Sequence, residues 1–93
     1  PPYDKKSETT APKPTHFTIR DAYSGQMLIG GPIPASEYGQ LWPMLVGTQV
    51  MVGQVLIVEF LQEINGTMQL LYGVPVDVKE SITGYATKTN TIY

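Results

Sequence analysis

The sequence predicts a mainly β domain: a small antiparallel sheet, barrel or sandwich of about five strands with one short helix. The alternative is an α+β sheet carrying that helical segment on one face. Three observations lead there. Two apolar runs across residues 48–78 are joined by Asn65-Gly66, a pair suited to a two-residue type I′ turn because both central positions need positive φ. Apolar alternation also marks residues 16–22, with Phe17 and Ile19 on one side and Thr18 and Arg20 on the other. Residues 82–93, finally, are rich in Thr, Tyr and Ile, and Thr83, Tyr85, Thr87, Thr89, Thr91 and Tyr93 share one parity.

Residues 1–15 combine Pro1, Pro2, Pro12 and Pro14 with Lys, Ser, Thr and Glu, and Tyr3 is their one large apolar side chain. Such a composition buries too little surface to offset the entropy of ordering, so the segment reads as a flexible Pro-rich arm before a single β-rich domain at residues 16–93. In that domain, Asp21 to Gly25 supplies turn chemistry after the first strand. Residues 26–29 read as the return strand, ended by Gly30-Gly31-Pro32-Ile33-Pro34 because proline has no ladder N–H. Ser36 then resembles a helix N-cap, with Glu37 where the helix dipole favours an acid. Tyr38, Leu41, Trp42 and Leu45 line one face of that helix, while Pro43 keeps it short.

In the central hairpin, a two-residue turn sets Ile64 opposite Thr67 and, by regular counting, Leu61 opposite Leu70, Glu59 opposite Tyr72 and Ile57 opposite Val74. One face then carries Val55, Ile57, Leu61, Met68, Leu70, Tyr72, Val74 and Val76, broken by Glu59 and Glu63. The other carries Leu56, Val58, Phe60, Ile64 and Leu71. Both faces call for cover, since roughly 25 cal/mol per Å² of apolar surface is forfeited wherever water reaches it. The strand expected at residues 82–93 either closes this sheet or adds to a neighbour's edge.

Ninety-three residues make one domain, and the absence of cysteine excludes a disulfide framework, a thiolate metal site and a cysteine nucleophile. The compartment stays open, because extracellular proteins need not contain disulfides. No apolar stretch reaches the roughly 20 residues of a membrane helix, so no membrane span is expected. Residues 21–78 contain no Lys or Arg but hold five of the eight acids. Duplex nucleic acid draws its affinity from cations, which weighs against it as a partner. Low charge is instead a property of interface cores.

No constellation points to catalysis, a cofactor or a metal. His16 is the single histidine and has no second ligand at metal spacing. His16, Asp21 and Ser24 supply the residue types of a triad, yet they sit in a strand and the turn after it, without a nucleophile elbow. Glu59 and Glu63 stand roughly 13 Å apart along a strand, too far for a glycosidase pair. The glycines form neither a Walker nor a dinucleotide loop. Asn65-Gly66-Thr67 matches a glycosylation sequon, although the turn already accounts for Asn-Gly.

The function expected is therefore non-enzymatic: an assembly or interaction protein, a homo-oligomer or a small structural subunit of a larger particle such as a virion or multiprotein complex. Its partner would be a protein, self or heterologous. The contact residues expected are Trp42, Phe60, Leu71, Tyr72, Tyr85 and Tyr93. The alternative is a single-stranded nucleic-acid binder on an OB-like barrel, with Tyr72, Phe60, Tyr85 and Tyr23 stacking on bases.

Overall fold

A computed structural model of the chain describes residues 12–79. They form an open antiparallel sheet with one short helical segment against one face, a mainly β fold as the sequence predicts. The strands are β1 (His16–Asp21), β2 (Ile33–Pro34), β3 (Val55–Ile64) and β4 (Thr67–Asp77), in the order β2-β1-β3-β4. Between β2 and β3 lie a 3₁₀ helix, Ala35–Gln40, and the single α turn α1, Leu41–Met44. The strand expected at residues 82–93 lies outside the described residues, as does most of the arm.

The hairpin turn forms as its chemistry dictates, with Asn65 at φ 53 and Gly66 at φ 82. From there Ile64 pairs with Thr67 and Leu61 with Leu70, in the register counted from the turn. Beyond Leu61 the register differs. Phe60 pairs with Tyr72, Val58 with Val74 and Leu56 with Val76, because the ladder shifts between Phe60 and Leu61 and leaves Leu71 as an extra residue. This β-bulge moves everything after it to the opposite side of the sheet. Tyr72, Val74 and Val76 therefore join Phe60, Val58 and Leu56 on one face, and Glu59 stands opposite Gly73 rather than Tyr72.

That face is the core. Phe17, Ile19, Leu56, Val58, Val76 and Val78 are fully enclosed beneath Leu41, Trp42 and Leu45 of the helical segment. The ladder outlasts the strands, since the Gly53 N–H donates to the Val78 carbonyl and the Val78 N–H to the Gln54 carbonyl. At the opposite end Thr15 is already tied in, donating its N–H to the Leu61 carbonyl and accepting from the Ala35 N–H.

Two local expectations give way to tertiary packing. Residues 26–29 do not form a return strand. They make one bridge, Arg20 with Met27, and then Leu28 and Ile29 turn to pack against the core. The strand beside β1 is instead β2, whose Ile33 and Pro34 pair with Phe17 and His16. Proline is tolerated there because β2 is an outermost strand, with one side unpaired among the described residues. Nor does Ser36 cap the helix: the 3₁₀ helix begins at Ala35, directly after Pro34, and no side chain caps it. Pro43 fits inside α1 because the N–H groups of a first helical turn have no partner to lose.

Candidate interaction surface

The side of the sheet away from the helix is lined by alternate residues of β1, β3 and β4, and a polar group divides it. Glu59 Oε1 accepts from Arg20 Nε at 2.8 Å and from the Thr18 hydroxyl at 3.2 Å. Thr18 is only 4% exposed, so this carboxylate satisfies a hydroxyl that water scarcely reaches. The group crosses the sheet midway along β3. It leaves Leu61, Met68 and Leu70 towards the hairpin tip and Val55 and Ile57 towards the base. Leu70 is 59% exposed, the largest opening in this set.

The outer edge of β4 is the second feature. No strand pairs with it among the described residues, and no charged side chain occurs from Thr67 to Val76. Natural edge strands are commonly blunted by lysine, by proline or by a bulge. β4 has a bulge at Leu71 and a proline at Pro75, which leaves the stretch from Thr67 to Val74 free of proline.

An aromatic row runs towards this edge on the core face. Phe17 on β1, Phe60 on β3 and Tyr72 on β4 are cross-strand neighbours. Their centroids lie 6.2 Å and 5.2 Å apart, and the second pair is stacked. Tyr38 of the 3₁₀ helix packs on Phe17 and Phe60, at 5.3 Å and 5.2 Å. Burial, together with the neighbouring Tyr72, raises the Tyr38 hydroxyl pKa above the ordinary tyrosine value. Tyr72 ends the row and is 48% exposed despite its stacking partner.

Of the residues expected from sequence to make contact, Phe60 and Tyr72 lie together in this row, and Leu71 is the half-buried extra residue of the bulge beside them. Trp42 sits in the core with only 8% of its surface exposed. Tyr85 and Tyr93 lie outside the described residues. Tyr23, the fourth ring of the stacking alternative, is 99% exposed but occupies the turn after β1, at the far end of that strand from Phe17.

No family model, curated protein or solved structure matches this chain.

The remaining polar groups serve the fold. Asp21 Oδ2 accepts from the Ser24 N–H at 2.6 Å, and Asp21 Oδ1 accepts from Gln54 Nε2 at 2.7 Å. Hydrogen bonds from Ser24, and then from Gln54, hold the Asp21 carboxyl below its ordinary pKa. The carboxylate thus closes the turn and ties it to the loop before β3. His16 Nδ1 lies 2.9 Å from the hydroxyl of adjacent Thr15, so the three triad residue types do not converge. No group of metal-ligating side chains occurs among the described residues, and no helix among them is long and apolar enough to cross a membrane.

The bulge at Leu71 is the feature that sequence reasoning missed. Met68, Leu70, Tyr72, Val74 and Val76 keep one parity throughout β4, so alternation alone gives no sign that the halves serve opposite faces. The one trace is the unbroken run Leu70-Leu71-Tyr72, in which an apolar residue occupies every position.

Proposed function

We propose that this chain is a non-enzymatic assembly protein that associates through its sheet, with copies of itself or as a small structural subunit of a larger complex. The observation that carries the reading is the outer edge of β4, unpaired among the described residues and uncharged from Thr67 to Val76. Exposed apolar side chains, Leu70 and Tyr72, flank it on the two faces. An edge of this kind offers backbone donors and acceptors to another strand. The absence of charged side chains from Thr67 to Val76 removes from the edge the lysines and acids that commonly keep such edges apart.

Cover for both faces, the first argument for a partner, now has a narrower basis. The bulge places Tyr72, Val74 and Val76 on the side that the chain's own helical segment faces. The demand for company therefore rests on the edge itself and on Leu61, Met68 and Leu70 near the hairpin tip. Light scattering on a sizing column tests it. A mass above one chain is expected, falling on dilution and reduced to one chain by Tyr72→Lys. A single chain at high concentration, with no partner recovered from its source, overturns the proposal.

A further inference from the structure

The tip of the central hairpin carries chemistry beyond its turn. β1 begins at His16, opposite Leu61, and the last tie from that side is the Glu63 N–H donating to Thr15 Oγ1. Beyond it, Ile64 to Gln69 form a ribbon of two strands and a turn, and every residue from Glu63 to Leu70 is exposed. A two-stranded hairpin without cover is marginal in water, so this tip is the part of the sheet that opens at least cost while the rest stays folded. Among the described residues no hydrogen bond holds the Asn65 side-chain amide or the Gly66 N–H.

An asparagine before glycine loses its side-chain amide readily, because glycine has no Cβ to hinder the approach of its own nitrogen to the asparagine Cγ. The folded turn opposes that approach. Asn65 has φ 53, in the left-handed region, where the backbone sets the Gly66 nitrogen on the far side of the Cα–C bond from Asn65 Cβ. The nitrogen meets Cγ only after a large rotation about that bond, and the rotation breaks the turn. Asn90, the other asparagine of the chain, precedes Thr91, whose branched side chain crowds the attacking nitrogen.

We propose that Asn65 is a self-modifying site gated by opening of the hairpin tip, where water converts the side-chain amide to a carboxylate and leaves isoaspartate or aspartate. In the opened tip the Gly66 N–H gives its proton to hydroxide and the nitrogen bonds to Asn65 Cγ. The bond from Cγ to the amide nitrogen breaks, and ammonia leaves with a proton from water. Water then adds to one carbonyl of the cyclic imide. Cleavage at the former backbone carbonyl leaves isoaspartate, cleavage at Cγ leaves aspartate, and no electrons are exchanged. Isoaspartate adds a methylene to the backbone between Ile64 and Gly66, so the positive-φ pair that closes the turn is lost. It also brings a carboxylate into a stretch that is uncharged from Ile64 to Val76. Conversion therefore loosens the hairpin and does not reverse on refolding.

The full-length chain is aged at mildly alkaline pH, natively and in guanidinium chloride, then cleaved and mapped by mass for exchange of amide for acid at Asn65 and Asn90. The expected result is conversion at Asn65 in both samples, many-fold slower in the native one, with Asn90 lagging behind Asn65 in the denatured one. The ratio of the two Asn65 rates reads the opening of the tip, each tenfold corresponding to about 1.4 kcal/mol. Ile64→Gly combined with Thr67→Gly loosens the tip at exposed positions and should raise the native rate several-fold, with Trp42 emission still that of the folded chain. Should that pair of substitutions unfold the chain, the native-to-denatured ratio of the parent decides alone. The isolated isoaspartyl chain should unfold at a lower urea concentration than the parent, and an unchanged midpoint would overturn the loosening. Equal rates in the native and denatured samples, or a folded loosened variant no faster than the parent, would overturn the gating. Absence of conversion at Asn65 in guanidinium chloride would overturn the site itself. None of these readings depends on whether the chain assembles.

Discussion

Deletion of Leu71 tests the bulge on which the placement of the faces depends. With the bulge, Leu70 pairs with Leu61 and Tyr72 with Phe60, and Leu71 is the one residue between them without an opposite number. Removing it should leave every other pair intact and turn the hairpin into a regular ladder. The loss is part of the burial of a half-buried leucine, about 1 kcal/mol, while regularising the ladder returns about 0.5–1.5 kcal/mol per hydrogen bond gained. The net change should lie within about 1 kcal/mol, corresponding to about 4–8 °C in Tm for a domain of this size. Had the hairpin run without a bulge, the same deletion would shift the ladder past Leu70 by one residue and move Tyr72, Val74, Val76 and Val78 off whichever face they pack on. Val76 and Val78 are the enclosed pair at stake, and unpacking each costs about 1.5–3 kcal/mol. A loss of that order approaches the roughly 5–15 kcal/mol of a whole domain. Urea denaturation followed by the emission of Trp42, the sole tryptophan, measures the difference. A deletion variant that is unfolded in buffer, beside a folded Leu71→Ala, would refute the bulge and the assignment of faces with it.

Other outcomes follow from the same geometry. Leu56→Ala, at a fully enclosed position, should cost about 2–5 kcal/mol by the same denaturation assay. Glu59→Ala leaves the Thr18 hydroxyl and Arg20 without the carboxylate they share and should cost about 1–3 kcal/mol. Arg20→Ala removes a partly exposed ion pair and the exposed hydrogen bond from its Nη1 to the Gly25 carbonyl, and should cost about 1–2 kcal/mol. Gly66→Ala forces a side chain into φ 82 and should cost about 1–2 kcal/mol, read as a lowered Tm. The Asp21 pKa is depressed in the folded chain, so its contribution is present above the ordinary carboxylate range and lost as pH falls through the folded value. Urea midpoints followed into acid should therefore decline less steeply for Asp21→Ala than for the unsubstituted chain.

Local chemistry was legible wherever it decides by itself. Asn65-Gly66 carries its own positive-φ preference and forms the expected turn, and Asp21 with Gly25 closes the turn after β1. Mainly β character and the face carrying Phe17 and Ile19 also follow from alternation, because side chains on a strand alternate whatever lies beside them. The pairing Leu61–Leu70 needs only a count from the turn.

Past that pair, counting fails for a physical reason. Whether a strand inserts an extra residue depends on how its far half meets the rest of the core, and Val76 and Val78 find enclosed places against Leu56 and the helical segment only if Leu71 is looped out. Likewise Ile33 displaces residues 26–29 as the partner of β1 because it can pair with Phe17 and enter the core at once, a choice no short window contains. The carboxylate of Glu59 reads from sequence as a break in an apolar face. Only with β1 laid beside β3 does it become the acceptor shared by Thr18 and Arg20. Sequence by itself determined the Asn65-Gly66 turn, the face of β1 that carries Phe17 and Ile19, and the cation-free middle of this protein. Tertiary structure decided which halves of those strands share a side, because register belongs to the pair of strands and not to either one alone.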